Sequence, residues 1–247
     1  MRVRSVERTA GGYRICTDGH SYDAVTVINA TGTWSRPFWP TYPGMREFAG
    51  VQLHTADYHG PNMLAGKRVA VVGGGNSAAQ IVAELSTVSD TVWFTSREPH
   101  FLPDDVDGRA LFDIASARVR APGVGVASLG DIVMVPPVKE ARERGALTAR
   151  PMFSSLRREG ACDGRTIMKL DAIVWCTGFR PALRHLQPLH LETDESGIML
   201  NNNHVRGEPN LVFLGYGEWT GPASATLMGV GRTARSAVDE ILAARRG

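Results

Sequence analysis

Lys67-Arg68-Val69-Ala70-Val71-Val72-Gly73-Gly74-Gly75-Asn76-Ser77-Ala78-Ala79-Gln80-Ile81-Val82-Ala83-Glu84-Leu85 decides how the rest of the chain is read. Val69 to Val72 is a short continuous apolar run, the pattern of a strand buried on both faces of a parallel sheet. Three glycines follow without a gap. Ala78, Ile81, Val82 and Leu85 then recur at i, i+3, i+4 and i+7, the stripe of an amphipathic helix. Strand, glycine turn and helix in that order predict a Rossmann-like α/β unit, because that context gives a Gly-x-Gly-x-x-Ala spacing its mechanical meaning.

Each position in the turn has a reason. Gly73 makes the tight turn, Gly75 has no Cβ to hold the backbone away from a pyrophosphate, and Ala78 lets helix and strand pack closely. The free N–H groups that open the helix then face phosphate together with its positive dipole end. A second strand, Thr91 to Thr95, follows. At its end, where an NAD site carries Asp or Glu for the ribose hydroxyl, stand Ser96 and Arg97. Arg97 lies 24 positions after Gly73, close to the usual offset of about 20. A guanidinium there suits a 2′-phosphate, so NADPH is expected over NADH. A register one residue longer would bring Glu98 to the strand end and reverse that preference. The competing reading is a glycine turn in another α/β domain beside a solvated arginine.

Two further strands end alike: Asp23 to Ala30 closes on Thr31-Gly32, and Asp171 to Cys176 closes on Thr177-Gly178. They bracket the Gly73 motif, which predicts one dinucleotide-binding domain inserted into another. The boundaries read as 1–40 for a residual first domain, 41–180 for the NADPH domain, and 181–247 for the return. Residues 1–22 read as short strands with turns, and the proline- and aromatic-rich 33–47 as an ordered connection. Phe48, Gly50, His54 and Tyr58 fall in a Phe-x-Gly-x-x-x-His-x-x-x-Tyr spacing that reads locally as strand. Asp104, Asp105 and Asp107 are expected to cap a helix over 109–120 rather than to hold a metal. After a glycine-rich loop at 121–130, a strand over Ile132–Val135 stopped by Pro136-Pro137 and a short helix over Val138–Arg144 are expected. The last unit is a buried strand, a turn at Gly215 to Thr226, and a helix to about Arg245 with Val230, Ala234, Ala237, Val238 and Ile241 on one stripe. Gly229 and Gly231 lower its helix propensity and suggest close packing.

At 247 residues, 43% apolar and 21% charged, the chain can fill one large core or two modest ones. A net charge of +2 gives no electrostatic reason to bind nucleic acid or a membrane surface. No apolar run approaches the roughly 18 residues of a span. The first residues lack a secretory h-region, so cytoplasm is expected. Cys16, Cys162 and Cys176 form no Cys-x-x-Cys, which argues against a dithiol reductase and a cysteine-rich zinc site.

Together these residues resemble the flavin-dependent class B monooxygenases. The Phe48/Gly50/His54/Tyr58 spacing is similar to that family's fingerprint, which ends in Trp where this chain has Tyr58, and it sits just before the NADPH motif as it does there. Tyr216 to Pro222 and Phe101 to Asp105 look closest to a bacterial branch often encoded in arsenic-resistance operons. The resemblance implies NADPH and FAD as cofactors, NADPH reducing FAD, which activates O2 to oxygenate a small-molecule substrate. It places NADPH on Gly73, Gly75, Asn76, Ser77, Ala78 and Arg97, and lines the cofactor channel with Thr31, Gly32, Thr177, Gly178, Gly217, Glu218, Trp219 and Thr220. No side chain reads as a catalytic acid, base or nucleophile. His54 reads as a linker residue. Only 31 residues precede Gly32, and they hold no first Gly-x-Gly-x-x-Gly unit. The chain therefore reads as the carboxy-terminal part of such a flavoprotein, with a homo-oligomer or a second chain expected to complete the FAD domain. A flavoprotein reductase serving a partner, and a non-catalytic NADPH-binding remnant, are the alternatives.

Overall fold

A computed structural model describes residues 1–104, 132–195, 197–221, 224–227 and 229–244. The helix expected over 109–120 and the loop over 121–130 lie outside the described residues. In chain order the strands are β1 (Val3–Thr9), β2 (Gly12–Thr17), β3 (Ser21–Ala24), β4 (Val27–Asn29), β5 (Val51–His54) and β6 (Arg68–Val72). Helix α1 (Asn76–Leu85), β7 (Asp90–Thr95), helix α2 (Pro136–Glu143), β8 (Ala149–Pro151), β9 (Ser155–Arg157), β10 (Gly160–Cys162), β11 (Ile167–Lys169) and β12 (Ala172–Trp175) follow. The chain then runs through β13 (Thr193–Asp194), β14 (Gly197–Ile198), β15 (Leu200–Asn201), β16 (His204–Val205), β17 (Glu208–Phe213) and helix α3 (Val230–Ala244). The described residues fall into two compact units, one of 1–36 with 180–244 and one of 37–104 with 132–179.

The second unit is an α/β layer structure. Its sheet has the order β5-β12-β6-β7-β8 with every pair parallel. Val69, Val71, Val72 and their neighbours in β12 are buried, as a strand covered on both faces requires. Along β6 the pleat sends Val69 and Val71 to the face covered by α1 and α2. Ala70 and Val72 go to the opposite face, where the antiparallel meander β9-β10-β11 takes the place of a helix. The chain leaves β6 through α1 toward β7, while β12 lies on the other side of β6. The sheet therefore has a topological switch point at the carboxyl ends of β6 and β12, where open α/β sheets bind ligands.

The first unit combines a meander, β1-β2-β3, with a four-stranded sheet of order β15-β16-β17-β4. Only the β17–β4 pair in that sheet is parallel. Arg8 and the Tyr13 hydroxyl both bind the Glu208 carboxylate, and Arg8 also donates to the Leu189 carbonyl. These contacts fasten the meander to the start of β17.

Several local expectations are corrected. Asp23 to Ala30 is not one buried strand: β3 ends at Ala24, β4 starts at Val27 at the edge of its sheet, and Ile28 is 47% exposed. Among the described residues Ile132 pairs only through an isolated bridge to Phe101, and Pro136-Pro137 starts α2 instead of stopping a strand. The missing proline N–H costs nothing in a first helical turn, whose amides lack intrahelical partners anyway. The strand around His54 is short and passes into a 3-10 turn at Thr55–Asp57. Gly229 precedes α3, and a 3-10 turn at Gly217–Thr220 intervenes.

Candidate functional site

In the second unit the turn from β6 into α1 is the centre of the candidate site. Gly73 has φ +142°, and a Cβ built there would lie 2.3 Å from the Cys176 carbonyl oxygen at the end of β12. Only glycine lets the two strand ends approach this closely. Its N–H donates to the Phe94 carbonyl at 3.0 Å, and its carbonyl accepts the Trp93 indole N–H at 2.7 Å. Both ties come from β7, so the turn is fixed by its neighbour strand and not by its own sequence.

Gly75 is the residue before α1, and no side chain caps the helix. A Cβ at Gly75 would meet nothing within 4 Å, so the space over the first amides is open. Those amides lack intrahelical partners by helix geometry, and Ser77 lies among them. Ala78 is buried against β6. The Asn76 side chain is spoken for in part, because its Oδ1 accepts the Val133 N–H at 2.8 Å. Its backbone N–H therefore carries the expected phosphate role better than its amide does. Arg97 is exposed two residues beyond β7, and its side chain has no ion pair or hydrogen bond among the described residues.

Thr177 and Gly178 lie just past β12. The Thr177 hydroxyl donates to the Phe38 carbonyl. The Gly178 carbonyl accepts from the Phe38 N–H at 2.9 Å and from His54 Nε2–H at 3.0 Å. His54 is fully buried beside Trp39 and Phe179, and its Nδ1 accepts the Ala56 N–H at 3.1 Å. Those two bonds require a neutral ring with the proton on Nε2, and burial holds its pKa below the usual histidine range. Burial pushes the nearby Cys176 thiol up to about 12, so it is no nucleophile.

In the first unit Thr31 and Gly32 follow β4, and Gly217 to Thr220 follow β17, at the carboxyl ends of two adjacent parallel strands. The Thr31 hydroxyl donates to the Ala182 carbonyl at 2.9 Å and contacts the Tyr216 hydroxyl at 2.9 Å. Asn29 joins them, donating to Tyr216 at 2.8 Å and meeting His185 Nε2 at 2.9 Å. Trp219 packs edge-on against Phe213 and Tyr216 and donates to the Ile198 carbonyl. Thr220 is buried and bonded to Ser224 and to the Tyr216 N–H. Glu218 lies in the same turn, its side chain outside the described set. Gly32 and Gly217 both have positive φ.

The predicted residues thus form two groups, one in each unit. In both groups the side chains of Thr31, Thr177, Trp219 and Thr220 hold the turns, leaving glycine backbone as the surface offered to a ligand. Trp93, Asn29, Tyr216 and His185 were missed by sequence reasoning. Asn29 and Tyr216 stand 187 positions apart, and no local pattern links them.

Residues 1–110 match the family model described as pyridine nucleotide-disulphide oxidoreductase. The chain is 25% identical over 249 residues to an uncharacterised CzcO-like oxidoreductase of Geobacillus kaustophilus, covering 97% of this chain and 71% of that one. The thioredoxin reductase of T. acidophilum shares the fold, with a TM-score of 0.65 at 18% identity, over 100% of this chain and 74% of that one. The solved flavin-containing monooxygenase of Stenotrophomonas maltophilia superposes with a TM-score of 0.86, over 98% of this chain and 70% of that one. With 46% of its residues identical across that span, the chain belongs to the flavin-dependent monooxygenases, oxidoreductases whose cofactors are FAD and NADPH.

Proposed function

We propose that residues 37–179 hold NADPH as the reductant for a flavin-dependent oxygenation of a small molecule. One observation carries this reading: a single unit joins an uncapped helix start at a topological switch point to a guanidinium, without a partner among the described residues, at the end of the next strand. The residues present fit the nucleotide. The open space over Gly75 admits a diphosphate, and the Asn76 and Ser77 amides face it. Arg97 takes the 2′-phosphate, and with no ion pair among the described residues both prongs of the fork are available to it. NADPH, when bound, supplies a hydride. His54 and Thr177 hold the strand end at Gly178 still, and the neutral Cys176 thiol adds no charge beside the turn.

The fit to FAD is half complete. The turns at Thr31-Gly32 and Gly215–Thr220 suit a ligand at the carboxyl ends of β4 and β17. Among the described residues, however, the glycine turn after β17 passes through a 3-10 turn at Gly217–Thr220 before α3 and does not lead directly into a helix as the Gly73 turn does. The other edge of β4 is unpaired, with Val25 54% and Ile28 47% exposed, and α3 turns Val238 and Leu242 outward. A parallel pair is ordinarily covered on both faces. These features support a further strand, turn and helix packing there to complete the FAD site, as a second polypeptide chain could supply. The cytoplasm is the proposed compartment; Cys16, Cys162 and Cys176 are all free thiols, and no helix among the described residues is long and apolar enough to cross a membrane.

Titration calorimetry of Arg97→Ala with NADPH and with NADH tests the nucleotide assignment. A charged hydrogen bond contributes about 1.5–3 kcal/mol, so NADPH should weaken roughly tenfold to a hundredfold while NADH changes little. Equal losses for both would remove Arg97 from the site.

A further inference from the structure

The sheet of the second unit carries a cleft on the face away from α1. Its floor is apolar: Phe94 and Phe153 are buried, and Met152 and Met168 are half-buried beside them. The meander β9-β10-β11 covers this face only in part, because each of its strands has three residues. What remains between β7–β8 and β11 is a space of about 710 Å³, within the range of small-molecule sites. Two thioethers give that floor an adaptable shape. Ile167, 45% exposed, extends the apolar surface to the mouth.

The rim is cationic. Arg68 is neutralised by Asp90 at 3.0 Å. The one acid at the rim, Asp163, is tied into its own turn by the N–H groups of Arg165 at 2.9 Å and Thr166 at 2.8 Å. Arg150 and Lys169 remain, and neither side chain has an ion pair or hydrogen bond among the described residues. An apolar floor under two unsatisfied cations is complementary to an anion with an apolar body. The cleft reaches Arg68, five residues before Gly73 on β6, which at about 3.3 Å per residue is roughly 16 Å from the nucleotide turn.

We propose that this cleft binds a small organic carboxylate with an aryl or alkyl tail, the carboxylate on Arg150 and Lys169 and the tail over Phe94, Phe153 and Met168. The site is separate from the NADPH turn and does not depend on it.

Calorimetric titration of the full chain with 4-phenylbutyrate and with 4-phenylbutan-1-ol tests it, since the two probes share a tail and differ in charge. The acid is expected to bind at least tenfold tighter than the alcohol. In the double variant Arg150→Gln/Lys169→Gln the two should bind alike, while NADPH affinity stays at the parent value and reports an intact fold. Equal binding of acid and alcohol to the parent would overturn the proposal. So would a preference that survives in the double variant, full displacement by sulfate at the same concentration, or displacement by NADPH. If NADPH itself fails to bind the parent, the nucleotide assignment falls and the probe comparison still stands.

Discussion

A methyl group at Gly73 would sit 2.3 Å from the Cys176 carbonyl oxygen on a backbone with φ +142°. At Gly75, with φ −107°, it would touch nothing. The two glycines of one motif therefore predict different failures. Gly73→Ala should cost about 2 kcal/mol or more in denaturant unfolding, through strain and the clash together. Gly75→Ala should unfold within about 1 kcal/mol of the parent yet lose NADPH affinity in calorimetry, because its methyl enters the phosphate approach. If Gly75→Ala keeps full affinity, the diphosphate is not on this turn. His54 gives a second residue-scale expectation. Burial lowers its pKa in the fold, so the folded state resists a proton that the unfolded chain accepts near pH 6.5. Stability is fully present above that value and declines as the pH falls below it. Burial lowers His185 in the same sense. Melting curves of His54→Gln across the acid range should show a shallower decline than the parent, with a residual slope from His185.

Elements succeed or fail by what they pack against. The β6-turn-α1 element was legible because its strand is covered on both faces and its helix on one, and each burial pattern writes its own period into the sequence. β4 wrote a misleading one. Val25, Val27 and Ile28 read as a core run, but Val25 lies ahead of the strand, β4 is a sheet edge, and these apolar side chains are partly bare. The helix that Asp104 was read as capping lies outside the described residues; within them Asp104 forms a two-pronged pair with Arg142 of α2 at 2.9 and 2.6 Å, which holds its carboxyl below the usual range. Both partners are about half exposed, so solvent screens the pair. Asp104→Asn should shift the denaturant midpoint only slightly. A drop several times larger would show that the pair orders its segment. The cluster of Arg8, Tyr13 and Glu208 is better shielded on its acid side. Glu208→Gln should cost about 1–3 kcal/mol, as it weakens the bond to Tyr13 and leaves Arg8 without its counter-charge.

For the whole molecule the two units carry different expectations. On the proposed assignment NADPH stabilises residues 37–179, so at a hundred times its dissociation constant it should add about 2.7 kcal/mol to that unit's stability. Hydrogen exchange should show protection gathered on the Gly73–Ala79 amides. Protection confined to residues 180–244 would contradict the assignment. The bare edge of β4 and the outer face of α3 predict that the chain alone purifies without the yellow of flavin and binds a dye for apolar surfaces. Supplying the unmatched part of the Stenotrophomonas protein as a separate chain should yield a one-to-one complex that retains FAD, and Ile28→Lys should abolish it. A chain that retains stoichiometric FAD alone would refute the need for a partner.

The sequence by itself determined the glycine turn between β6 and α1, the α/β character of the central unit, and the place of Arg97 just beyond β7. These depend on neighbours within a few residues, where period and spacing are physical constraints. Tertiary structure alone decided that Trp93 and Phe94 fix the turn, that β12 inserts beside β6 to create the switch point, and that β4 lies open. It also turned Thr31, Thr177 and Thr220 inward to hold backbone. Those outcomes rest on pairings between strands far apart in the chain, and such pairings leave no local pattern, because a strand's own residues record how deeply it is buried but not which strand lies beside it.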